Sequence, residues 1–282
     1  MPYRPSEEDL RRFKCVLARN TPSREAYEGY AEKVRVHLGY CSLAPPRLRS
    51  RDGRVCAVTK TCLYHSELFQ QPYLVQYVED LWFDQTAPGS DAIASVNVSD
   101  SHEVPPLVLV PDRRKRSRSK AFVSILEHEV VHVNQAIRGC FPQRKEHRSL
   151  KPALTAFYSI VRSEFDANTL QLTRWPKLFP HARASLEHWC ALRGWSFAVE
   201  EVVAGGLCPP SLVPALLDAL VPSLGLEFAR AGISSGLAPW FAEELPFHVK
   251  VAATLVVERD PTMAASGALH ATGDWLTARG GF

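Results

Sequence analysis

No Cys-x-x-Cys pair occurs in the 282 residues, although seven cysteines are present: Cys15, Cys41, Cys56, Cys62, Cys140, Cys190 and Cys208. Their scatter excludes a zinc knuckle and a thioredoxin-type redox motif, and it fits unpaired thiols in a reducing compartment. Net charge is nearly absent as well. The 33 Lys+Arg and 30 Asp+Glu leave +3, too little to argue for nucleic acid as a partner. The most apolar stretch, Leu207 to Leu226, contains Asp218 and the prolines Pro209, Pro210, Pro214 and Pro222, so it is expected to be a buried helix and no membrane span. The opening segment MPYRPSEEDLRRFK lacks the apolar core of a secretory signal, and a cytoplasmic protein is expected. Repeats and low-complexity segments are missing too. At 46% hydrophobic the chain can instead build a substantial core.

The periodicity predicts an α+β fold. Ser6-Glu7-Glu8-Asp9 opens a helix through Leu10, Phe13, Val16 and Leu17, and Thr21-Pro22-Ser23 opens a second through Tyr27, Tyr30, Val34 and Leu38, with Gly39 as its stop. Strands are expected at Arg54 to Thr59, Ala92 to Val98 and Leu107 to Val110. Leu74, Val75, Val78, Leu81 and Trp82 follow helical spacing, so 71–83 is expected to be a helix. Phe122, Ile125, Leu126, Val130, Val133 and Ile137 mark a further helix ending near Gly139. Pro152 begins another through Leu154, Phe157, Ile160, Val161, Phe165 and Leu170. Three or four more helices are expected beyond it. The division is an N-terminal α/β lobe over 1–138 and a helical lobe over 139–282, making one catalytic unit with a cleft between them.

The chemistry concentrates in Leu126-Glu127-His128-Glu129-Val130-Val131-His132. Two histidines four apart on a helix project from the same face and can grip one metal ion. Glu129, next to the first histidine, can hold the water that such a metal activates. The alternative, a helix that merely carries two surface histidines, is weakened by the clear apolar periodicity of its opposite face. A catalytic metal needs a third protein ligand. Glu164 lies 32 residues beyond His132, a gap that accommodates a loop and an antiparallel helix, and Ala167 would let the two helices approach closely. Asn168, one turn after Glu164, shares its face and could accept the Nδ1–H of a ligating histidine. Asp166, on another face, and His147, in the connecting loop, are the rival third ligands.

With these residues the chain resembles the zincins, and among them the gluzincins, whose pattern is His-Glu-x-x-His on one helix and Glu on the next. The metzincin continuation requires Gly at 135 and His at 138, where Gln135 and Arg138 stand. The resemblance covers roughly residues 92–175. It implies one zinc ion held by His128, His132 and Glu164, with Glu129 as general base. Gluzincins often carry Asp four residues after the glutamate ligand; Asn168 occupies that place and puts the exact partner of the histidine in question.

Peptide hydrolysis also needs a donor facing the developing oxyanion. Tyr158, His147, His181 and His188 are the candidates. In zincins an edge strand upstream of the metal-binding helix pairs with the substrate backbone, and Leu107, Val108, Leu109 and Val110 are the candidates here. The flanking Pro105, Pro106 and Pro111 suit an edge, although an ordinary core strand would look the same. Between that strand and the metal helix, Arg113 to Lys120 packs six cations into eight residues. Such a run is ordinarily a solvated loop; at the rim of a cleft it could instead engage an acidic partner.

These readings converge on a zinc metallopeptidase performing limited proteolysis of a specific protein or precursor peptide. A zincin-fold binding or regulatory module is the alternative from another class, and intact Glu129 argues against it. A zinc hydrolase of non-peptide amides would use the same residues. Membrane and nucleic-acid partners are not expected.

Overall fold

A computed structural model describes residues 4–44, 46–49, 55–80, 94–98, 104–114, 119–142, 146–178 and 207–212, together with 190, 194, 197–198, 201 and 215–216. Four α-helices and five strands lie among them: α1 (Glu7–Asn20), α2 (Arg24–Leu43), β1 (Arg47–Arg49), β2 (Val55–His65), β3 (Pro72–Val78), β4 (Ser95–Asn97), β5 (Leu107–Pro111), α3 (Lys120–Ile137) and α4 (Leu150–Arg174). The fold is mixed α and β. No helix among the described residues is long and apolar enough to cross a membrane.

Contacts group the chain into two compact units. One comprises Leu10–Phe141 with Thr173–Leu178; the other comprises Met1–Asp9, Pro142–Leu172 and Phe179–Phe282. The first holds the sheet, whose order is β1-β2-β3-β5-β4. Only the β3–β5 pair is parallel, Val75 lying opposite Val108 and Val78 opposite Pro111; the other neighbours run antiparallel.

The helix starts follow local chemistry. At α1, Ser6 and Asp9 satisfy each other's backbone: the Asp9 amide donates to Ser6 Oγ at 3.1 Å, and the Ser6 amide to Asp9 Oδ2 at 2.9 Å. Ser23 caps α2 by accepting from the Ala26 amide at 3.2 Å. That helix runs past Gly39 to Leu43, because a helix-interior glycine costs only about 1 kcal/mol and Pro45-Pro46 supplies the firmer stop. Ser119 caps α3 by accepting from the Phe122 amide at 3.2 Å. The far end closes through Gly139 at φ 69°, with the Cys140 amide donating to Gln135 O at 2.8 Å and the Gly139 amide to Ala136 O at 3.0 Å.

One expected element changes type. Residues 72–78, expected to begin a helix, form β3, and Tyr73 through Val78 are all buried. Side chains on a strand alternate between faces, so six consecutive buried residues mean that both faces of β3 are covered. Burial on both faces removes the period-two alternation and leaves apolar positions that mimic helical spacing. Residues 81–83 of that expectation lie outside the described residues. The expected strand from Arg54 is longer than anticipated, reaching His65, and β4 spans only Ser95–Asn97.

The core joins the sheet to α2 and α3: Tyr30 and Val34 from α2, Leu74, Val75 and Val78 from β3, Leu107 to Val110 from β5, and Phe122, Leu126, Val130 and Val133 from α3. The Leu74 amide donates to the Tyr30 hydroxyl at 2.9 Å, and the Tyr27 hydroxyl donates to Pro72 O at 2.6 Å. These bonds tie α2 to the first half of β3. In the other unit, α4 buries Ala153, Phe157, Ile160, Ala167 and Leu170. The backbone of Gly194 lies so close to α4 that a Cβ there would sit 2.6 Å from Val161 O, which admits only glycine.

Candidate metal centre

Helix α3 turns its apolar side to the sheet, with Val130 and Val133 fully buried. His128 and Glu129 are half-buried and His132 is 5% exposed. The two imidazoles meet with ring centroids 5.0 Å apart, and their Nε2 atoms face one another at 3.3 Å. Two nitrogens each about 2.0–2.1 Å from a tetrahedral zinc are themselves about 3.3 Å apart, so the pair is already spaced for one ion. The Phe141 ring lies 5.8 Å from His132, edge to face.

Glu164 joins them. The ligand atoms of His128, His132 and Glu164 all lie within 4.8 Å of one another, and these three form a group able to hold a metal ion. Two neutral-capable imidazoles and a carboxylate are a donor set that zinc accepts. The rival third ligands are not in this group: Asp166 is buried on α4, and His147 is fixed through its backbone amide, which donates to Leu207 O at 2.8 Å.

The expected partner is corrected for His132 alone, whose Nδ1 faces Gln135 and not Asn168. Asn168 turns its amide to its own helix and donates to Glu164 O at 2.8 Å. The atom facing His132 Nδ1 is Gln135 Oε1, at 2.9 Å, and Gln135 in turn donates through Nε2 to Asn20 Oδ1 at 3.1 Å. Gln135 lies one turn after His132, so helical spacing alone could have nominated it. No local signal could nominate Asn20, which ends α1.

Glu127, the residue before the first histidine, is also a finding of the structure. It is fully buried and accepts from the Tyr64 hydroxyl, the Ser66 hydroxyl and the Glu67 amide, each at 2.6 Å, and from the Leu68 amide at 3.4 Å. Burial first, and the neighbouring Glu127 charge second, push the Tyr64 phenol above its ordinary pKa, which keeps it a donor. Tyr73 adds a second tie to α3 by donating to Asn134 Oδ1 at 2.9 Å. Helix α3 is therefore fixed to β2, β3 and the turn between them on both sides of His128.

The strand expectation is corrected too. Leu107, Val108, Leu109 and Val110 lie in β5, which is paired on both sides, with β3 and with β4, and all four are buried. No substrate backbone can add to it. The prolines that suggested an edge sit where no sheet bond is lost: Pro105 and Pro106 precede the strand and Pro111 ends it. Among the described residues β4 pairs only with β5, so the terminal strand on that side is Ser95–Asn97, which also packs against α3.

Of the oxyanion-donor candidates, Tyr158 is 43% exposed on α4, His147 is half-buried, and His181 and His188 lie outside the described residues. The described ends of the basic run belong to helical elements. Arg113 and Arg114 belong to a 3₁₀ turn, Ser119 and Lys120 start α3, and 115–118 lie outside the described residues. Arg113 is engaged at Asp80, its amide 3.1 Å and its guanidinium 3.7 Å from Oδ1. No disulfide joins the seven cysteines, and Cys56, Cys190 and Cys208 are buried. Burial and the neighbouring Glu146 push the Cys208 thiol up to about 11. No protein-family model, curated protein or solved structure matches the chain.

Proposed function

We propose that the chain is a zinc-dependent metallopeptidase of the gluzincin type. The observation that carries this reading is the convergence of His128, His132 and Glu164 within 4.8 Å, with Glu129 adjacent to the first histidine on the same helix. His128, His132 and Glu164 would hold the ion. Zinc bound there supplies Lewis acidity, polarising a carbonyl and making water a competent nucleophile near neutral pH. Glu129 takes the proton from the attacking water and delivers it to the leaving amine, so one carboxyl group serves as base and then as acid. The substrate class is a peptide, and its extended backbone pairs with β4, the terminal strand beside α3.

The test is Glu129→Gln. Glutamine keeps the shape and cannot accept the proton, so zinc content should remain and cleavage of an unbiased peptide library should fall by about 10²-fold or more. Wild-type cleavage by this variant would overturn the mechanism. A library left intact by the zinc-loaded wild type, together with release of an amine from non-peptide amides, would move the assignment to an amidase.

A further inference from the structure

A neutral imidazole offers a metal only the nitrogen that carries no proton, and the bond made by its other nitrogen decides which one that is. At His132 that bond goes to Gln135, whose amide oxygen and nitrogen are identical in shape, so the polarity has to come from farther along the chain of contacts. It comes from a group that cannot be reversed. Asn20 places its side-chain nitrogen 2.8 Å from the backbone oxygen of Val16, and a carbonyl can only accept. The other end of the Asn20 amide is then its oxygen, which requires the nitrogen of Gln135 at 3.1 Å. That leaves the Gln135 oxygen against His132 Nδ1 at 2.9 Å, and Nδ1 must be the protonated nitrogen. Turning either amide around would set two buried acceptors face to face. Asn20, Gln135 and His132 are 1%, 3% and 5% exposed, so bulk water has little access to repair such a mismatch.

We propose that the Val16 carbonyl, acting through Asn20 and Gln135, holds His132 as its Nδ1–H tautomer in the metal-free protein, with Nε2 unprotonated and turned towards His128. Asn20 and Gln135 are positioning residues for the metal ligand, and α1 belongs functionally to the metal centre although it contributes no ligand. The inference rests on the reading of His132 as a ligand. The tautomer itself is observable without any metal.

The experiment uses the full chain, stripped of metal and labelled with 15N-histidine, with long-range 1H–15N spectra assigned by loss of the His132 signals in His132→Gln. Wild type should show the Nδ1–H pattern for His132. Gln135→Leu should lose that pattern and weaken zinc binding about 10–100-fold in chelator competition, the usual effect of removing such a partner. Asn20→Leu lets the Gln135 amide turn, and should shift the tautomer partway. Adding Gln135→Glu to Asn20→Leu should restore Nδ1–H, because a carboxylate accepts from either oxygen. If Asn20→Leu does not fold, Asn20→Ala replaces it; it removes the contact with Gln135 equally and should shift the tautomer partway. An Nε2–H pattern in the wild type, or an unchanged tautomer and zinc affinity in folded Gln135→Leu, would overturn the proposal. An Nδ1–H pattern in a chain that takes up no zinc supports the relay and sinks the metallopeptidase reading instead.

Discussion

Ser66 donates its hydroxyl to the Glu127 carboxyl group at 2.6 Å, which binds the turn between β2 and β3 to the residue immediately before His128. Ser66 also accepts from the Phe69 amide at 3.1 Å, so the turn's internal bonding and its attachment to α3 share one side chain. The Ser66 amide donates to Gln71 O at 2.9 Å, and Gln70, at φ 55°, completes the reversal.

Glu127→Leu should therefore destabilise the fold by about 3 kcal/mol or more, since it strands the buried Ser66 hydroxyl, the half-buried Tyr64 hydroxyl and two amides that now have an acceptor. Glu127→Gln retains one acceptor oxygen and should cost less. Urea unfolding of both variants checks the order, and a Leu variant as stable as wild type would refute the role given to Glu127.

The purified chain should bind about one zinc. His128→Ala and His132→Ala should abolish binding, and Glu164→Ala should weaken it, while Asp166→Ala and His147→Ala should retain wild-type stoichiometry. Metal analysis after dialysis against buffered zinc reads all five. Retention by Glu164→Ala with loss by Asp166→Ala would reassign the third ligand.

The basic run separates two behaviours by their salt dependence. Arg113 is committed to Asp80 at the protein surface, so replacing Arg113, Arg114 and Arg116 by Gln should change stability by about 1 kcal/mol at most and leave kcat/KM unchanged from low to high salt. A raised KM with unchanged kcat, and a flattened ionic-strength dependence, would show instead that the run steers an acidic substrate.

His37 on α2 provides a pH test away from the metal centre. Its Nε2 lies 3.1 Å from the Gln76 side-chain nitrogen, and burial lowers its pKa. Its folded value is thus below the unfolded value of about 6.5. The stability it contributes is present above that unfolded value and is lost as pH falls through the lowered folded one, because the unfolded chain binds the proton more readily. The denaturation midpoint should fall below about pH 6.5, and His37→Gln should reduce the fall. An identical pH profile in the variant would exclude His37 as its source.

Two features were legible in the sequence because their determinants are local. The apolar spacing from Phe122 to Ile137 specifies α3, and helical geometry alone then puts His128 and His132 on one face, their nitrogens now 3.3 Å apart. Pro152 and the period after it likewise specify α4, which presents Glu164. The rest depended on partners distant along the chain. Residues 72–78 became a strand because they are covered on both faces, a condition that erases the alternation by which strands are recognised. Leu107 to Val110 became interior because β3 takes one side and β4 the other, and pairing choice between strands leaves no mark within either one. Gln135 could be placed one turn from His132 by sequence, but its direction could not. That direction comes from Asn20, 115 residues away, because an amide's polarity is fixed only by the group it faces.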